Sequence, residues 1–221
     1  MTSPKAPAPQ VTVRGEALLV VDPELADVDV TVRVRARDRE TALERCSARH
    51  EEVLAVVSAA GEAVEVTETT GVSVYLEVRD RRAPGEPVAS LHTRLTLGRL
   101  DAVGELVVAL GRLDDVEVSG PVWRLRPDSG AFEQARLAAV RDAVRRAGQY
   151  AAAFGSTLTA LVEVSDTGVG GGLPRVAGAA AAMARFEGEP HLDLVPARQE
   201  VHGAVEVRFT MSEPDQEVFR G

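Results

Sequence analysis

The sequence predicts an α+β fold, a mixed, largely antiparallel sheet packed against helices, with elements in the order ββαββαβαββ. Three observations carry this expectation. Residues 27–36 alternate strictly between apolar and polar, as in a strand with one buried face. Residues 129–154 repeat their apolar positions at steps of three and four, as in a long helix. Some apolar runs are joined by short turns and others are separated by helical stretches, which fits neither an all-parallel nor an all-β chain.

Each element has its own signal. After a leader, residues 1–10, Val11, Val13, Ala17, Leu19 and Val21 share one side of a strand that Asp22-Pro23 terminates. In the next strand Val28, Val30, Val32, Val34 and Ala36 face inward, against Asp27, Asp29, Thr31, Arg33 and Arg35 outside. Asp38 is placed to cap a helix reaching Ala60, with Leu43, Cys46, Val53, Val57 and Ala60 inward and Gly61 just past its end. Two strands follow. The first, 64–79, puts Val72, Val74, Leu76 and Val78 in one phase with a bulge or bend at Gly71, and the second, 88–97, aligns Leu91, Leu95 and Leu97.

Leu100, Val103, Leu106, Val107 and Leu110 outline a shorter helix closed by Gly111. In the strand 116–126 the inward phase changes from Val116 and Val118 to Trp123 and Leu125, and Gly120-Pro121 sits at the change, the signature of a bulge. The long helix then begins at Ser129 and ends at Gly155. Its stripe is Phe132, Ala135, Ala139, Ala143, Ala147, Tyr150 and Phe154, small in the middle and bulky at both ends, and it spans ~39 Å at ~1.5 Å per residue. Such a stripe admits close approach of whatever covers it, and the expectation is a sheet. Strands at 157–165 and 200–211 complete the order. The 166–199 loop between them is too long for an ordinary connection, so it is expected to be mobile with a short helix near 177–185.

Composition narrows the function. A chain of 221 residues, 45% apolar and 27% charged, can bury a substantial core. The organisation expected is one α+β domain over residues 11–211 with a frayed tail, 212–221. A net charge of −9 disfavours nucleic acid and anionic membrane as partners. There is no asparagine, no isoleucine and one lysine, Lys5, a pattern of GC-rich coding, so the arginines are not read as phosphate recognition. The opening MTSPKAPAPQ has no apolar stretch, which leads to the expectation of a cytoplasmic protein without membrane insertion.

Searches for reacting groups return little. Cys46 is alone, so neither a disulfide within the chain nor a thiolate cluster can form, and a buried thiol is expected. Gly168 to Gly172 is followed by Leu173-Pro174 rather than the Gly-Lys-Ser/Thr of a phosphate loop. His50-Glu51-Glu52 lacks the second histidine of a zinc-protease helix; His50, His92, His191 and His202 are expected to be solvated. No G-x-S-x-G occurs. No catalytic residue, cofactor or metal ligand is therefore assigned. Trp123, the one tryptophan, is expected in the core beneath the long helix or lining a small-ligand groove. Together with Gly170, Gly171 and Gly172 it marks the candidate ligand or interaction region.

The placed segments resemble the SIMPL-domain family. The similarity lies in VTVRGEALLVVDPELADVDVTV, in LTLGRLDAVGELVVALG ahead of VSGPVWRL, in ARLAAVRDAVRRAGQYAAAFG and in QEVHGAVEVRFTM, and it covers roughly residues 11–211. The resemblance implies no established enzymatic activity; the family's bacterial members are mostly exported envelope proteins, some of them homo-oligomers, and an animal member is tied to kinase signalling. The expectation is a non-enzymatic scaffold or interaction protein that assembles with itself. The alternative is a small-ligand binding module with the 166–199 loop as its lid.

Overall fold

The computed structural model describes residues 8–78, 85–166, 170–171 and 192–220. In chain order the elements are β1 (Gln10–Val21), β2 (Leu25–Arg35), α1 (Arg39–Ala59), β3 (Val64–Glu77), β4 (Glu86–Leu97), α2 (Val103–Gly111), β5 (Val116–Arg124), α3 (Gly130–Ala153), β6 (Leu158–Asp166), β7 (Gly170–Gly171) and β8 (Gln199–Met211). The α+β class holds. The pairing, expected to be largely antiparallel, is antiparallel throughout the described residues, but the strands divide between two sheets in place of the single one expected. Alternation within a strand reports that one face is buried but not which strand lies alongside. Here β1 pairs with β8, at the opposite end of the chain.

The chain forms two compact units. The first contains β1, α3, β6, β7 and β8. Its sheet runs β1-β8-β6, with the two-residue β7 also on β8. Val13, Val205, Val207 and Phe209 turn inward and meet Ala139, Ala143 and Ala147 of α3. The buried row of α3 is Ala131, Ala135, Ala139, Ala143, Ala147 and Ala151, all at steps of four. Such a row crosses a helix obliquely. The bulky residues expected as buried anchors fall beside it: Phe132 is half-buried, and Tyr150 and Phe154 are exposed.

The alanines are small because backbone lies against them. A Cβ on Gly15 of β1 would stand 2.1 Å from the carbonyl oxygen of Ala139, and one on Gly203 of β8 would stand 2.3 Å from that of Ala135. Helix and strands thus approach to where no side chain fits on either glycine. Ser129 caps α3 by accepting the N–H of Ala131 at 3.3 Å. Beyond β8 the chain, expected to fray, closes in a 3₁₀ turn, Gln216–Arg220, with Phe219 stacked on Phe154 at 6.3 Å.

The second unit is the sheet β3-β4-β2-β5 with α1 and α2 on one face. Val28, Val30, Val32 and Val34 of β2 are fully enclosed, as their alternation predicts. Asp38 caps α1, accepting the Thr41 N–H at 2.8 Å, and Gly61 leaves the helix at φ +57°. The inward residues of α1 are Ala42, Cys46, Val53 and Val57; Leu43, expected inward, is one position out of phase and exposed. The bulge in β5 is where the sequence places it. Two residues, Gly120 and Pro121, stand against one of β2, and Val116, Val118 and Trp123 all pack on the same core.

Candidate functional site

The second unit carries its polar chemistry on the sheet face opposite its helices. Antiparallel register sets Thr31 between His92 and Glu117, and Ser90 between Arg33 and Ser73. The Thr31 hydroxyl lies 3.0 Å from His92 Nδ1, while His92 Nε2 is 3.4 Å from Ser90 Oγ, which lies 2.9 Å from Ser73 Oγ. Arg33 donates to the Tyr75 hydroxyl at 3.2 Å and pairs with Glu77, which also accepts from Arg35 Nε at 2.8 Å. The Arg35 hydrogen bond, against some desolvation and with help from Arg33, holds Glu77 below the usual carboxylate range.

Further along the same face Asp29 pairs with Arg94 at 2.9 Å, and Asp27 accepts from Arg124 Nε at 2.6 Å and Thr96 Oγ1 at 2.7 Å. Burial pushes the Asp27 carboxyl up, but the hydrogen bonds from Arg124 and Thr96 outweigh it and the net shift is downward. An open hollow of 360 Å³ lies between Thr31, Ser73, Tyr75, His92 and Glu117. It offers hydroxyls, one imidazole and one guanidinium to a small polar molecule. It does not form a hydrolytic triad: His92 Nδ1 meets a hydroxyl rather than a carboxylate, and Ser90 is buried.

The edge of this sheet has a different character. β3 is an outer strand, and among the described residues it pairs with β4 alone. Its Val72 and Val74 stand opposite Leu91 and Ala89, which face the core, so they lie on the helix-bearing face. They are nonetheless exposed: Val72 60%, Val74 36%, Leu76 52% and Val78 59%. The opposite edge, β5, is interrupted by its bulge, and Pro121 has no N–H to donate. In the first unit β6, one of its two outer strands, likewise exposes Leu161, Val162 and Val164.

The residues singled out in the sequence fall apart from one another. Trp123 is half-buried and packs on the core of the second unit, which is covered by α1 and α2, rather than on the core beneath the long helix as expected. Gly170 and Gly171 belong to the first, where they pair with His202 and Val201 of β8. Gly172, the proposed lid and short helix, and His191 lie outside the described residues. His202 is exposed as expected, 3.8 Å from Glu200. Two other histidines are half-buried and hydrogen-bonded to neighbouring side chains rather than fully exposed. His92 belongs to the polar face, and His50 Nε2 is 2.9 Å from the buried Thr93 hydroxyl, where desolvation pushes its pKa down. Cys46 is buried, and desolvation raises its thiol above the ordinary value, the opposite of nucleophile activation. The polar face was missed because Asp27 to Arg35 reads simply as wet; the legible signal was the matching polar phase Ser90, His92, Arg94 and Thr96 in β4.

Among the described residues no three His, Cys, Asp or Glu side chains are grouped to hold a metal, and no helix is long and apolar enough to cross a membrane. Fold and surface define a two-unit α+β protein of antiparallel sheets, each backed by helix, with polar chemistry on an open sheet face and apolar side chains along outer strands. The chain belongs to the SIMPL family, whose model, described as a protein of unknown function (DUF541), matches residues 11–209. No curated protein matches the chain.

Proposed function

We propose that this chain is a non-enzymatic interaction protein that assembles with copies of itself. The observation that carries the reading is two of the outer strands, β3 and β6, whose apolar side chains are exposed and whose outer sides no strand pairs with among the described residues. Long apolar edges invite another strand, and proteins that remain single usually interrupt them with proline, charge or a bulge. Here β5 is interrupted by its bulge and Pro121, and β3 is irregular between Val64 and Val66 and, at the bulge expected beside Gly71, between Thr69 and Gly71; from Val72 to Leu76, however, β3 is regular and has neither a charge nor a proline. Light scattering coupled to size exclusion is the test. A mass of at least two chains at tens of micromolar is expected, and a single-chain mass at that concentration refutes the reading.

A second reading, a small-ligand binding module, is favoured by the hollow around His92. The ligand suited to it is small and rich in hydroxyl or carboxylate groups, recognised by Thr31, Ser73 and Arg33. A thermal-shift screen of such compounds on the protein and on His92→Ala decides it: stabilisation that the substitution abolishes supports binding there, and no response from either protein counts against it.

A further inference from the structure

We infer that the subunit contact is made by β3 against β3 of a second copy, antiparallel and centred on Tyr75. The inference rests on the self-assembly proposed above and deepens it by naming the surface and its register. Among the described residues no strand pairs with the outer side of β3. The argument for a second copy, rather than an unrelated strand, is that this stretch complements itself.

From Val72 to Val78 the sequence reads Val-Ser-Val-Tyr-Leu-Glu-Val, apolar at every even position. Opposed residues of an antiparallel pair lie on the same face. Reversal about Tyr75 places Val72 against Val78 and Val74 against Leu76, so both apolar rows meet on the helix-bearing face. On the other face Ser73 stands against Glu77 and Tyr75 against its own copy. No carboxylate opposes a carboxylate in this register, and each Glu77 is already neutralised by Arg33 and Arg35 of its own chain. Centring on Val74 also keeps the faces matched, whereas centring on Val72 runs the partner strand into the irregularity between Thr69 and Gly71. The Val74 register sets Val72 against Leu76 but Glu77 against Gly71, and the Val72 register brings Glu68, from the polar face, against Leu76. Only reversal about Tyr75 pairs all four exposed apolar residues with one another. The product is an eight-stranded sheet with its four helices on one side and two polar faces joined on the other.

The test uses the full chain. In the expected register Tyr75→Cys lies beside its own copy and oxidises to a covalent dimer, whereas Ser73→Cys, opposite Glu77, does so far less readily; the buried Cys46 takes no part. Leu76→Arg, at an exposed position, is expected to keep the native Trp123 emission while weakening association by at least about tenfold. If the parent protein self-associates, yet Leu76→Arg associates equally well and Tyr75→Cys does not cross-link, the contact lies elsewhere: the β3 inference falls and self-assembly stands. A parent protein that is a single chain by light scattering overturns both.

Discussion

Gly15 and Gly203 show how much a missing side chain can determine. Each lies under α3 with an alanine carbonyl where its Cβ would be, so Gly15→Val must push helix from strand or distort β1. A loss of about 1–3 kcal/mol, or failure of the first unit to fold, is expected in denaturant unfolding followed by circular dichroism. Gly148, in α3 itself with nothing within 4 Å of its would-be Cβ, is the control. Gly148→Ala is expected to stabilise by about 0.5–1 kcal/mol through helix propensity. Asp27 gives a residue-scale pH dependence. Its folded pKa lies below the ordinary value of 3.8, because the Arg124 and Thr96 hydrogen bonds outweigh burial. Its contribution to stability is therefore present above that value and is lost as pH falls through the lowered one. Asp27→Asn is expected to lower stability at pH 7 and to shrink the loss between pH 5 and acid, as measured by melting temperature against pH. An unchanged acid limb would remove Asp27 from the account.

At the scale of the element, α3 tests whether its alanine row serves the fold or the assembly. Ala143 lies against the Gly15 backbone, so Ala143→Leu is expected to destabilise the first unit by about 1–3 kcal/mol without changing the oligomer. Unaltered stability with an altered mass would show that the row meets something other than β1 and β8. The row illustrates what could be read in advance. Alanine at 135, 139, 143 and 147 announced a close approach, because small residues at helical spacing leave room for nothing else. The aromatic residues at its ends misled, since steps of three and four fit several faces equally over two turns, and only the contact with β1 and β8 selects the strict four-residue row. The β5 bulge was legible because Gly120-Pro121 coincides with the change of phase. The exposure of β3 was not: Val72, Val74, Leu76 and Val78 alternate as well as any buried strand, and alternation cannot reveal that no helix lies over them.

At the scale of the molecule, the division into two units assigns the signals. Trp123 is the only tryptophan and belongs to the second unit, so its emission reports that unit alone. A chain ending at Arg198 lacks β8, the strand that pairs with β1, β6 and β7. It is expected to lose the strand signal of the first unit and to retain native Trp123 emission; a red-shifted emission would show that the second unit does not hold its fold without the first. The sheet of the second unit was readable as hairpins and nearby strands. That of the first was not, because its partners are brought together from both ends of the sequence.

That pairing of ends has a consequence for synthesis. β1 starts at Gln10 and its partner β8 at Gln199. At about 5–20 residues per second, β1 leaves the ribosome roughly 10–40 s before the strand that completes it. Over that interval the second unit's four strands and two helices can emerge and close, while an apolar strand, and later an uncovered alanine helix, wait beside them. An element made early is thus among the last to find its place, and for that time β1 is the part of this nascent segment most open to a chaperone or a protease.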